Sequence, residues 1–238
     1  MTAQYQIIVQ NLSSQPADFY AFQDQATFQN AGSPASIKSS CLAGSSLAPH
    51  ATSGSQLKFS FDKQVYAGAI GIGANEAVTR FNARISLDTT ESVGIQTSAA
   101  QPISLTPLAA GQKADNYSTM SLNPLGLSTP IEKQGLPGGY FGVEIPVYTP
   151  SPTPELFCGC ATINQNGTIV LSSFVSPHPN SQLYCAPVSK YFVKVGDFEV
   201  GAVVPYDTSH AATCDFTLGY QVIKVVYNPD GTFTTTGS

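Results

Sequence analysis

LKFSFDKQVYAGAIGIG, residues 57–73, carries the clearest structural signal in the chain. Its first half alternates: Leu57, Phe59 and Phe61 fall on one face of an extended segment, and Lys58, Ser60 and Asp62 on the other. That period of two belongs to a half-buried β-strand, because successive side chains of a strand point to opposite faces. Its second half holds Gly68, Gly71 and Gly73 in a G-x-x-G-x-G spacing with no helical pattern after it. A phosphate-cradling loop needs a helix N-terminus to receive the anion. The glycines therefore read as a strand that another backbone approaches closely.

The same reading extends outward in both directions. YQIIVQN (5–11) is a strand ended by the turn-like LSSQP, and DFYAFQD (18–24) places Phe19 and Ala21 on one face and Tyr20 and Phe22 on the other, which predicts a hairpin of these first two strands. Residues 29–56 are rich in Ser, Ala, Gly and Pro and predict an irregular excursion with one short strand around Cys41. AVTRFNARISLDTT (77–90) and SVGIQTS (92–98) read as strands, and 101–139, with five prolines, as long surface connections. From GYFGVEIPVYT (139–149) to the C-terminus, apolar runs and turn signals alternate every eight to twelve residues or so, the pattern of a sandwich or barrel. Asn166-Gly167 and Asp230-Gly231 mark two hairpins, the first suited to a type I′ turn. The expectation is a single all-β domain over 1–238, an antiparallel β-sandwich of ten or more strands with irregular excursions at 29–56 and 101–139.

Composition narrows the function classes. Only 11% of residues are charged, against roughly 25% in an average soluble domain, so Ser, Thr, Asn and Gln must build the polar surface. With 15 acids against 10 bases, net charge −5 and arginine only at 80 and 84, the chain lacks the basic patch that replaces phosphate counterions; a nucleic-acid partner is excluded. No apolar run approaches a spanning helix, and the opening MTAQYQIIVQN lacks the basic segment and long apolar core of a signal peptide, which predicts a cytoplasmic protein without membrane partners. The sequons at Asn11, Asn116 and Asn166 would matter only in a secreted protein. Five cysteines are too few, and odd in number, for a disulfide scaffold.

Chemistry-bearing groups are sparse. In LFCGCATI (156–163), Cys158 and Cys160 share a strand face; they read as buried thiols, with a soft-metal site such as zinc, completed by His178 and His210 or by Cys185 and Cys214, as the alternative. A disulfide between Cys158 and Cys160 would need strained geometry. DTSHAATCD (207–215) gathers Asp, Ser, His and Cys but lacks the strained G-x-S-x-G turn of a serine hydrolase, and three histidines leave little general-base capacity. Asp197, Glu199, Asp207 and Asp215 could pair as glycosidase carboxylates, but no tryptophan offers a sugar platform. Eleven Tyr and thirteen Phe remain. Most belong to the core, and those near glycine bends, Tyr66, Tyr140, Phe141, Tyr191, Phe192 and Phe198, are the candidate lining of a pocket.

Three stretches carry a family resemblance. LKFSFDKQVYAGAIG (57–71), SKYFVKVGDFEVGAVVPYDT (189–208) with VIKVVYNPDGTFTT (222–235), and the opening YQIIVQNLSSQP resemble the RhiA-like, rhizosphere-induced proteins, although that family's tryptophans are absent here. The resemblance implies a cytoplasmic β protein with no established reaction. Size, low charge and all-β character are also similar to the pink chromoproteins of oyster mushrooms, which implies pigment binding. The expected function is non-enzymatic binding of a small, flat, largely apolar molecule, with a homodimer as a further expectation. The rivals are a ligand-free interaction or defence protein and a metal-dependent enzyme built on the Cys/His set.

Overall fold

A computed structural model describes residues 3–30, 36–73, 95–109, 111–150, 155–164 and 167–238. The chain opens with β1 (Gln4–Asn11), β2 (Ala17–Gln23), β3 (Thr27–Gln29), β4 (Lys38–Ser40) and β5 (Ala43–Leu47), then the single-turn helix α1 (His50–Ser53). Next come β6 (Leu57–Asp62), β7 (Tyr66–Gly73), β8 (Ile95–Pro102), β9 (Asp115–Leu122), β10 (Leu125–Leu127), β11 (Ile131–Glu132) and β12 (Phe141–Ile145). The last part holds β13 (Leu156–Ile163), β14 (Ile169–Val175), β15 (Ser181–Ala186), β16 (Lys190–Val195), β17 (Val203–Val204), β18 (Ala212–Asp215), β19 (Val222–Tyr227) and β20 (Phe233–Gly237). Among the described residues the fold is all-β and almost wholly antiparallel, a sandwich architecture; β1 with β19 and β12 with β9 are parallel pairs.

Four sheets form two face-to-face pairs. In the first sandwich, the sheet β20-β19-β1-β6 packs on the sheet β18-β16-β2-β5. Ile7, Val9, Phe59, Phe61, Ile223 and Val225 from one side meet Phe19, Ala21, Tyr191, Val193, Ala212 and Cys214 from the other. In the second, the sheet β17-β4-β14-β13-β7-β8 packs on β10-β9-β12-β15-β3, with β11 beside β9. Ala67, Ala69, Cys158, Cys160 and Val175 there face Met120, Phe141, Val143, Leu183 and Cys185. The chain passes from β4 in the second sandwich to β5 in the first through Cys41 and Leu42, both buried.

Several expectations hold in detail. β6 buries Phe59 and Phe61 and leaves Lys58 to solvent, and β2 sends Phe19 and Ala21 into one core and Tyr20 and Phe22 into another. The glycine-rich β7 is indeed crowded: Gly68 lies opposite Gly159 of β13, and a Cβ on Gly68 would sit 2.5 Å from that of Ala161.

Others need correction. β1 and β2 form no hairpin; β1 pairs with β6 and β19, β2 with β5 and β16, and the two face each other across the first core. Segment 101–139 is more than surface connection, for β9 carries buried Asn116, Tyr117, Ser118 and Met120. Cys41 lies between two short strands, β4 and β5, instead of in one. Both predicted hairpins exist, but each turn closes on its glycine: Gly167 (φ 81°) donates to the Asn164 carbonyl at 2.9 Å, and Gly231 (φ 82°) to that of Asn228 at 3.0 Å. The glycine thus takes the left-handed position after the turn, where it costs least. The strand expected at 77–90, with Arg80 and Arg84, lies outside the described residues, as does Asn166.

Candidate functional site: a cleft at the end of the first sandwich

A cleft of about 890 Å³ opens at one end of the first sandwich. Three connections meet there: the β1–β2 turn, the α1 turn, and the tip of the β19–β20 hairpin, with the end of β16 as the fourth side. Leu12, Pro16, Pro49, Val195, Tyr227 and Pro229 supply its apolar surface, and Ser13, Gln15, Asp18 and Thr52 its polar groups.

The first wall is set by Asn11. Its side chain is fully buried, and Nδ2 donates to the carbonyls of Gln15 at 2.9 Å and Leu47 at 3.0 Å. Its Oδ1 accepts from the Ser13 N–H at 2.9 Å and the Ser13 hydroxyl at 2.7 Å. One amide thus organises the turn as an Asx motif and ties it to the facing sheet. The Leu12 N–H donates to the Tyr227 carbonyl at 2.8 Å, which joins this wall to the hairpin. The Tyr227 ring sits edge-on to Phe19 at 5.5 Å and against Phe233 at 5.0 Å, so the cleft floor is continuous with the core.

The remaining walls are equally fixed. In α1 the Ser53 hydroxyl donates to the Pro49 carbonyl at 2.8 Å, and Gly54 (φ 65°) ends the turn in the left-handed region. The Gly196 N–H donates to the Asp18 carbonyl at 2.9 Å, and a Cβ on Gly196 would lie 3.0 Å from the Tyr20 ring. Leu12 is 41% exposed and Val195 43%, which leaves two large apolar side chains open at the lip.

Burial also disposes of two sequons. Asn11 is committed to the turn, and Asn116 Nδ2 donates to Thr106 Oγ1 at 2.8 Å while its Oδ1 accepts from the Lys133 N–H at 2.9 Å. Neither amide is free for a glycan while the fold is intact.

The six candidate aromatics are not gathered into one pocket. Phe192 and Phe198 share a cluster with Tyr20, Phe22 and Cys41 on the outer face of β2 and β16, packed ring on ring: Phe22 to Phe192 at 5.4 Å and Tyr20 to Phe198 at 4.6 Å. Tyr191 points the opposite way from Phe192, as strand alternation demands, and stacks on Phe61 at 4.5 Å in the first core. Burial pushes its phenol well above the ordinary value. Phe141 lies in the second core. Tyr66 packs on the outer face of β13 and β14. Tyr140 is half-buried, its hydroxyl accepting from Gln29 Nε2 at 3.1 Å. None of the six lines the cleft. The only ring there, Tyr227, is flanked in sequence by the N-P-D-G turn, which signals a hairpin tip but not what that tip meets.

The metal candidates separate likewise. Cys158 and Cys160 are buried in the second core, whereas His178 and His210 stand exposed on turns. Among the described residues no three His, Cys, Asp or Glu side chains are placed to hold a metal ion. Burial raises the Cys158 and Cys185 thiols far above their ordinary value, and Cys41 and Cys214 to about 12, so all four are neutral at physiological pH.

No helix among the described residues is long and apolar enough to cross a membrane. No protein-family model, curated protein or solved structure matches this chain.

Proposed function

We propose that this protein binds a small, flat, largely apolar molecule, without transforming it, in the cleft at the end of the first sandwich. The observation that carries the reading is the cleft itself: about 890 Å³, within the range of about 300–1,000 Å³ that small-molecule sites occupy. Its walls are held by hydrogen bonds between protein groups, so little ordering entropy opposes binding. Pro16, Pro49 and Pro229 offer rigid apolar faces on three sides. Asp18 is the one carboxylate on the wall, suited to fix the orientation of a ligand's N–H or O–H group. A conjugated pigment is the finer form of the proposal, and it accords with the resemblance to fungal chromoproteins.

Two measurements test it. Native mass and the ultraviolet-visible spectrum of the protein purified from its own source should show extra mass, released on denaturation, and for a pigment a visible band. The recombinant protein titrated with Nile red, a flat neutral dye, should give saturable fluorescence that Leu12→Asp and Val195→Lys each weaken by tenfold or more, about 1.4 kcal/mol. A protein at its sequence mass that ignores the dye, or binds it equally well in both variants, rules the cleft out.

A further inference from the structure

Cys160 and Cys185 meet in the core of the second sandwich, with their Sγ atoms 3.0 Å apart. They come from opposite sheets. Cys160 in β13 pairs with Ala67 of β7 and Ser173 of β14, and Cys185 in β15 with Phe141 of β12 and Phe28 of β3. Two short side chains therefore span the whole gap between facing sheets, the placement of an inter-sheet cross-link. Cys158, although on the same face of β13, is two residues away along the strand, so the register selects Cys160 as the partner.

Access is asymmetric. Cys185 is fully buried, whereas Cys160 also forms part of the wall of a second, small cavity of about 60 Å³, beside Tyr5, Phe61 and Tyr191 and bordered by exposed Gln64. A water molecule takes up about 30 Å³ of liquid volume, so this space admits a molecule of that order and excludes a tripeptide thiol or a protein.

We propose that Cys160 and Cys185 are a reversible oxidation site, closed to an inter-sheet disulfide by a peroxide-sized oxidant entering through this cavity. With hydrogen peroxide the step balances in two stages. The Cys160 sulfur attacks one peroxide oxygen, giving the sulfenic acid and water; the Cys185 sulfur then displaces the hydroxyl of that sulfenic acid, forming the S–S bond and a second water. Both thiol protons leave in the water, two sulfurs lose one electron each, and the peroxide gains two. Reduction requires a dithiol and an opening of the core, because the bond would lie out of reach of large reductants. The site is independent of what the cleft binds.

The test uses the full chain. Folded protein is exposed to hydrogen peroxide, unreacted thiols are blocked with N-ethylmaleimide in denaturant, and the product is measured by intact mass and non-reducing peptide mapping. No Lys, Arg, Asp or Glu lies between Cys160 and Cys185, so chymotrypsin, which cuts after Phe174 and Tyr184, is needed to separate them. The expected result is a loss of two hydrogens, three thiols left to block, and a cross-link joining the 160 and 185 peptides that dithiothreitol removes. The oxidised form should melt on the order of 5 °C or more above the reduced one, because the cross-link restricts the unfolded chain. In Cys185→Ala, dimedone added together with the denaturant after peroxide exposure should trap a sulfenic acid at Cys160. The mapping on the unsubstituted chain decides the matter even where that variant fails to fold. Five blocked thiols after peroxide treatment, or a cross-link that maps to any other pair, overturns the proposal.

Discussion

The two sandwiches solve the same packing problem with different side chains. The first fills its core with rings: Phe61 stacks on Tyr191 with planes 5° apart, Tyr5 on Phe216 at 4.4 Å, and Phe19 stands edge-on to Tyr227. The second mixes Ala67, Ala69, three cysteines, Val143 and Val175 with Met120, Ile145, Leu156 and Leu183, and has Phe141 as its one fully buried ring. Turns close one end of the ring-filled sandwich and form the cleft there. In the second, Cys160 and Cys185 touch across the gap between the sheets. Both cores thus meet a common requirement for close packing, one chiefly with stacked rings and the other with aliphatic and thiol side chains.

The second sandwich also holds a position with no room for added volume, between neighbouring strands of one sheet. Gly159 faces the outer side of β13, where the shift in register between β13 and β14 crowds it: a Cβ would lie 2.2 Å from the Ser173 carbonyl oxygen and 2.7 Å from Phe174 Cα. These are backbone atoms of a strand hydrogen-bonded on both sides, so they cannot yield cheaply. Gly159→Ala should cost about 3 kcal/mol or more, a fall in Tm of about 6–12 °C for a chain of this size. In the ring-filled half, Phe61→Leu should cost about 1.5 kcal/mol. Thermal unfolding of the pair measures the contrast, and equal losses would abolish it.

The open half is sensitive at another kind of position. Asn11→Ala removes an amide that makes four hydrogen bonds and leaves the Gln15 and Leu47 carbonyls without its donors. A loss of about 2–3 kcal/mol is expected, together with Nile red affinity lower by about tenfold, since the β1–β2 turn would no longer be held in its binding shape. Chemical denaturation and dye titration read the two effects separately. Unchanged dye affinity in a destabilised variant would mean that this wall does not shape the site.

Much of this architecture was legible in sequence, and the limits have physical causes. Period-two alternation identified β6 and both faces of β2, because burial of one face is a local pattern. Strand partners were not legible. β2 pairs with β16 about 170 positions away, and nothing in ADFYAFQ names its neighbour. β9 escaped notice because its buried Asn116 and Ser118 are satisfied by hydrogen bonds to Lys133, Thr106 and Ser128 in place of apolar contacts. Polar residues therefore occupy the buried positions that a hydrophobic pattern would mark. The turns LSSQP and N-P-D-G could be recognised individually, but their meeting at one cleft is a tertiary fact. The aromatics misled for the opposite reason: rings adjacent in sequence, such as Tyr191 and Phe192, belong to opposite faces.

The smallest expected effect concerns the segment that covers the outer rings of β2 and β16. Lys194 holds Asp207 there, Nζ to Oδ2 at 2.7 Å, and Asp207 also accepts from the Ser209 N–H at 2.9 Å. The hydrogen bond from Lys194 is the main cause of an Asp207 carboxyl well below its ordinary 3.8, followed by those from Ser209. A carboxyl depressed by folding contributes stability above the unfolded-state value and loses it as pH falls toward the folded-state value. The Asp207 contribution is therefore present at pH 5 and fades below about pH 4. The group stands open to solvent, and solvent screening keeps the effect small. Asp207→Asn removes this titration, so the variant should show a smaller fall in Tm between pH 5 and pH 2.5 than the parent, with Asp24 and its partner Lys190 common to both. Parallel acid profiles would mean that the covering segment is held without this ion pair, by its ring contacts, Phe198 on Tyr20 and Tyr206 on Phe22, and by the Tyr206 hydroxyl donating to Asp24.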